Sequence, residues 1–138
     1  MFFEVRNFQL FFVNKNFLSY LCEVSVNNYN MDTKTTLQQI RNGIKTILMR
    51  IAPIEGKAIL FGSRARGDAR QDSDWDVLIL LDKDKITKSD LDEVSYPVRE
   101  LGWEIDAMLN PVMYTYKDWA GKSFTPFYKN VMKEGVAL

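Results

Sequence analysis

Histidine is missing from all 138 residues, and there is a single cysteine, Cys22. The first absence removes Ser-His and Cys-His nucleophilic catalysis, imidazole general bases and histidine-ligated metals together. The second excludes an intramolecular disulfide and argues against a structural zinc site. Net charge is absent too: 18 basic residues balance 18 acidic ones, so no global field draws in long nucleic acid. No apolar run approaches the roughly 18 residues needed to span a bilayer. The aromatic-rich start, MFFEVRNFQLFFVNKNF, lacks the basic n-region and small-residue cleavage site of a signal peptide. A reduced, cytoplasmic setting is the expectation. Chemistry must then run on carboxylates, hydroxyls, lysines, arginines and backbone groups. Oxygen ligands of that kind select magnesium, manganese or calcium over softer metals.

The chain has the length and the 46% hydrophobic content of one compact domain. Residues 1–30 read differently from the rest, with aromatics and asparagines interleaved without a clean period. They are expected to form a peripheral N-terminal extension, with a short strand near Gln9 to Val13. The working domain is expected to span 31–138. From Asp32 the pattern is helical, with Leu37, Ile40, Ile44, Leu48 and Ile51 on one face. Asp32 or Thr33 would cap that helix and Pro53 would end it. Lys57 to Phe61 reads as a strand bounded by glycines. Val77 to Leu81 reads as a central strand covered on both faces. Thr87 to Leu101 reads as a helix that Pro97 kinks or breaks. Trp103 to Leu109 alternates well enough for a third strand, which would turn Glu104 and Asp106 to one face. Beyond Pro111 short helices are expected, one opened by Thr125-Pro126 and closed at Gly135.

The chemistry concentrates in Gly62 to Asp76, GSRARGDARQDSDWD, which runs directly into VLILL. Asp74 and Asp76, at i and i+2 at a strand's mouth, share a face and can converge on one cation. Their mutual repulsion becomes affinity for a divalent ion. A polar turn followed by a solvated strand end is the plainer reading, but two acids at the entrance of a buried strand need a reason. In haloacid-dehalogenase-type phosphatases the apolar strand precedes its acids; here the acids come first, which argues against that class. Gly62 lets a backbone approach a ligand closely, and Ser63 at a helical turn offers its hydroxyl and N–H to an anion. Arg64, Arg66 and Arg70 add positive charge nearby. Taken alone, Gly-Ser is a strand-to-helix turn. An anion cradle and an acid pair on adjacent strands together describe a nucleoside triphosphate with its metal. Asp106 is the third candidate acid, with Glu104 as fallback.

Glycine-serine, then Asp-x-Asp, then a distant aspartate resembles the DNA polymerase β-type nucleotidyltransferase superfamily. GSRARGDARQDSDWDVLILLD is more closely similar to its minimal nucleotidyltransferases, small domains often paired with HEPN-domain proteins. FYKNVMKEGVAL is similar to their closing helix. The resemblance covers Asp32 to Leu138 and implies an α+β nucleotidyltransferase fold, a small mixed β-sheet flanked by helices. It implies that Gly62, Ser63, Arg64, Arg66 and Ser73 bind the nucleotide. Asp74, Asp76 and Asp106 would be both catalytic residues and ligands of two Mg²⁺ or Mn²⁺ ions, with Asp106 taking the acceptor's proton. Trp75 departs from the family, which has a smaller aliphatic residue there, and could crowd the metal. The implied reaction moves a nucleoside monophosphate, AMP from ATP, onto a hydroxyl; a tyrosine of a HEPN-type toxin is the leading acceptor. Three alternatives stay open: a non-catalytic antitoxin with a vestigial nucleotide site, transfer to a small antibiotic, and template-directed polymerisation, which the neutral charge balance disfavours. The sequence leaves the oligomeric state undetermined.

Overall fold

The computed structural model describes residues 31–138, so the expected extension over 1–30 and its short strand lie outside the described residues. Eleven elements follow in order. Helix α1 (Met31–Arg50) leads to strand β1 (Gly56–Phe61) and the short helix α2 (Ser63–Arg66). Strand β2 (Trp75–Leu81) follows, then helix α3 (Lys88–Asp90), a π-helical turn (Leu91–Ser95) and helix α4 (Tyr96–Glu104). Strand β3 (Leu109–Thr115), helices α5 (Tyr116–Ala120) and α6 (Pro126–Glu134), and strand β4 (Val136–Ala137) complete the chain.

The four strands form one mixed sheet in the order β3-β2-β1-β4. β1 is antiparallel to both β2 and β4, while β2 and β3 run parallel. A parallel pair needs a crossover, and the segment from α3 to α4 supplies it. The VLILL run is buried on both sides, as its unbroken hydrophobicity implies. Val77, Ile79 and Leu81 pack with Leu37, Ile40, Ile44 and Ile47 of α1 and with Val94 and Val98 of the crossover. Leu78 and Leu80 pack the other way, against Tyr116, Trp119 and Val131. Each such fully buried aliphatic side chain contributes roughly 2 kcal/mol. The sheet is therefore a three-layer sandwich's middle, and the acids stand at the entrance of its deeply buried strand β2.

Local chemistry explains the departures. α1 already contains Asp32 and Thr33, so neither caps it. Pro97 does not interrupt the crossover helix, which runs from Lys88 to Glu104: it has no N–H for Glu93 and its ring crowds that carbonyl, and the wider π turn just before it absorbs both effects. The expected strand over Trp103 to Leu109 is not formed. α4 continues through Glu104 and closes in a Schellman motif, with the Asp106 N–H donating to the Trp103 carbonyl and the Ala107 N–H to the Gly102 carbonyl. Asp106 takes the left-handed position at φ 53°, which aspartate tolerates better than most side chains. The third strand begins at Leu109 and carries Pro111, so the short helices expected from that proline start only at Tyr116. β3 is an edge strand, where a residue lacking a donor costs the ladder little.

The crossover is pinned at its start by Asp90. Thr87 and Asp90 form a capping box, and the Lys83 Nζ donates to both Asp90 carboxylate oxygens at 2.8 and 2.7 Å. Burial raises this carboxyl's pKa, but hydrogen bonds from Lys83 and from the Thr87 backbone and side chain outweigh it and hold the value below that of an ordinary aspartate. A folded-state pKa below the unfolded one gives stability that is present above about pH 4 and lost as pH falls through the folded value. Asp90→Ala is expected to cost about 2 kcal/mol at pH 7, through the lost cap and the unpaired Lys83. That deficit should shrink below pH 4. Urea unfolding at the two pH values checks both statements.

Candidate nucleotide site

Asp76 is the second residue of β2, held between the ends of two neighbouring strands. Its antiparallel partner on β1 is Phe61, immediately before Gly62, and its parallel partner on β3 is Asn110. Trp75, Val77, Ile79 and Leu81 face α1, so the alternation of the strand turns Asp76 to the opposite face, which it shares with Leu78 and Leu80. Asp74 lies one residue before the strand on the same parity and is exposed.

Gly62 fits against this carboxylate because it has no side chain. A Cβ added there would stand 2.6 Å from Asp76 Oδ2, and the residue's φ of 75° belongs to glycine. The chain then turns directly into α2. The Gly62 carbonyl accepts from the N–H groups of Ala65 and Arg66, both at 3.1 Å. Ser63 stands at the first position of α2, whose leading N–H groups have no intrahelical acceptor.

The remaining expected residues support this site rather than line it. Arg64 is buried; its guanidinium lies 4.6 Å from the Trp75 ring centroid and donates to the carbonyls of Gln71 (2.9 Å) and Ser73 (3.0 and 3.2 Å). It clamps the loop that carries Asp74. Ser73 closes that loop's turn: its Oγ accepts from the Arg70 N–H at 2.8 Å. Arg66 pairs with Asp68 and Glu134, both at 3.3 Å, which ties α2 to α6 and raises its pKa. Trp75, the departure from the family pattern, is buried on the face away from Asp76 and does not crowd it.

Asp106 lies elsewhere. It lines a cavity of about 390 Å³ with Arg64, Ser73, Trp75, Trp103 and Met108, and neither Asp74 nor Asp76 borders that cavity. Among the described residues no group of three or more Asp, Glu, Cys or His side chains is gathered as a cation site. Asn110 is the residue that sequence reasoning passed over. Its Nδ2 donates to Asp76 Oδ1 at 3.1 Å, across the pair of parallel strands. The only signal for it would have been the correct strand register, with β3 beginning at Leu109 where the alternation of WEIDAML ends.

The family profile of the nucleotidyltransferase domain matches residues 41–138. The chain belongs to that family. The glycine turn, the acid pair at the mouth of a central strand and the four-stranded mixed sheet flanked by helices all lie within the matched span of this nucleotidyltransferase domain. Neither a curated protein nor a solved structure is significantly similar to the chain. Among the described residues no helix is long and apolar enough to cross a membrane.

Proposed function

We propose that this nucleotidyltransferase moves AMP from ATP onto a hydroxyl of another molecule, using a divalent metal held by Asp74 and Asp76. The observation that carries the reading is the position of Asp76, pressed against a side-chain-free glycine turn. Two carboxylates beside an approachable backbone are a donor set suited to Mg²⁺, which binds through one or two carboxylates together with substrate phosphates. When bound, such an ion neutralises phosphate charge and stabilises departing pyrophosphate.

The chain's own residues do the positioning. Gly62 gives the triphosphate access to the backbone, and Ser63 supplies a hydroxyl and an N–H to it. Arg64 orients Asp74 through the loop it clamps. Arg66 adds positive charge at the rim of α2. The acceptor oxygen attacks the α-phosphorus, the bond to pyrophosphate breaks, and the hydroxyl proton passes to a carboxylate or to water. This chemistry asks mainly for alignment and charge stabilisation.

For the acceptor, the resemblance to HEPN-associated domains supports a tyrosine of a HEPN-type partner in an antitoxin role, in a reduced cytoplasmic setting. The described residues form one small nucleotidyltransferase domain, which suits an acceptor that arrives on another chain. A second reading, a nucleotide-binding antitoxin without transfer, is favoured by the amide of Asn110 beside Asp76. Incubating the protein and its co-purifying partner with ATP and Mg²⁺, followed by intact mass measurement, separates the two. An adenylyl increment on the partner supports transfer. Tight association with unchanged mass supports the binder.

A further inference from the structure

We infer that Asn110 limits this site to a single divalent ion, the one that arrives with the triphosphate. This rests on the proposed nucleotide site and goes beyond it. In the parallel register Asn110 stands directly across from Asp76, and it shares the sheet face of Asp76, the face on which Tyr114 of the same strand packs against the aromatic cluster. It is the described side chain shown bonded to Asp76: Nδ2 to Oδ1, 3.1 Å.

A carboxylate in that place would meet Asp76 as a second negative charge at hydrogen-bond distance, a repulsion that a further cation would relieve. The amide removes the repulsion by donating a hydrogen bond instead. Asp76 thus has one oxygen occupied by a neutral partner, and its other oxygen, Oδ2, faces Gly62. Asp74 and Asp76 are then the anionic ligands at hand, enough for one magnesium that keeps waters and takes phosphate oxygens. A second ion placed to activate the acceptor would lack an anionic ligand of its own. Asp106 does not join Asp74 and Asp76: it borders a cavity that neither of them lines, and among the described residues no third acid is gathered with that pair. Asn110 is in these terms a positioning residue: it fixes the Asp76 rotamer and sets how many ions the site accepts.

The count can be read without turnover. The full-length protein is titrated with Mn²⁺ in the presence of an ATP analogue whose α–β bridge is not cleavable, and bound Mn²⁺ is counted by electron paramagnetic resonance. The wild type should bind one ion per chain, Asn110→Asp two, and Asp106→Asn one. Two ions in the wild type, one ion in a folded Asn110→Asp variant, or loss of the ion in a folded Asp106→Asn variant would each overturn the inference and leave the nucleotide site standing. Failure of the wild type to bind the analogue at all would overturn the nucleotide reading and this inference with it. If Asn110→Asp fails to fold, the wild-type count alone decides.

Discussion

Asp76→Asn should abolish nucleotidyl transfer, with a fall of about 10³-fold or more, while the protein melts no lower than the wild type. The reasoning starts from β2. Its apolar residues are buried on both faces and anchor the strand, so changing one oxygen for an amide at its entrance leaves the core untouched. What changes is charge. Asp76 is half-buried, beside the glycine turn and across from an amide that already donates to it. Removing its charge would remove one of the two anionic ligands of the proposed metal site, and charge stabilisation at a reacting phosphoryl group is worth orders of magnitude in rate. Two amides facing each other at positions 76 and 110 can still hydrogen-bond, so the fold gains or loses little. Label transfer and thermal melting on the same preparation test both halves. Substantial residual transfer in Asp76→Asn would remove Asp76 from the site.

Gly62→Ala should do nearly as much damage by a different route. The φ of 75° and ψ of −157° at Gly62 lie in a region that costs other residues about 1–3 kcal/mol. The added methyl would also meet Asp76 Oδ2 at 2.6 Å, so either the turn or the carboxylate must shift. A displaced metal ligand and a filled approach to the backbone together should lower transfer about 10²-fold, since misplacement by about 1 Å is enough for losses of that size. Gly67→Ala is the matched control. Gly67 also has a positive φ, 83°, but a Cβ there meets nothing within 4 Å. It should lose stability alone and keep its rate. Equal rate losses in the two variants would show that backbone strain in the α2 segment, not contact with Asp76, matters.

The legible part of this protein was the part whose signals are local. The unbroken apolar run at Val77 to Leu81 can be satisfied only by burial on both faces, and it is buried on both. The 3.6-residue period of α1, the Thr125-Pro126 start of α6 and the π turn before Pro97 are likewise set by a few neighbouring residues. The stretch from Gly102 to Pro111 was not legible for the opposite reason. Its alternation is shared by a helix end and a strand, and an aspartate took the left-handed stop where glycine or asparagine is the usual sign. Pro111 argued against a strand unless that strand lay at an edge, and edge position is a property of the whole sheet. The consequence for the site is specific. Expecting β3 over Trp103 to Leu109 instead of Leu109–Thr115 put Asp106 forward and passed over Asn110, an acid in place of a neutral partner. Arg64 shows the same limit: its charge pointed to phosphate, while its burial on Trp75 shows it serving the loop.

The central claim is that the α-phosphoryl group, with its nucleoside, is what moves. The protein and its co-purifying partner are incubated with Mg²⁺ and ATP labelled at either the α or the γ phosphate, and the products are resolved. Transfer of nucleotide predicts that the α label becomes attached to the acceptor while the γ label leaves as pyrophosphate. Attachment of the γ label with release of ADP would contradict the account.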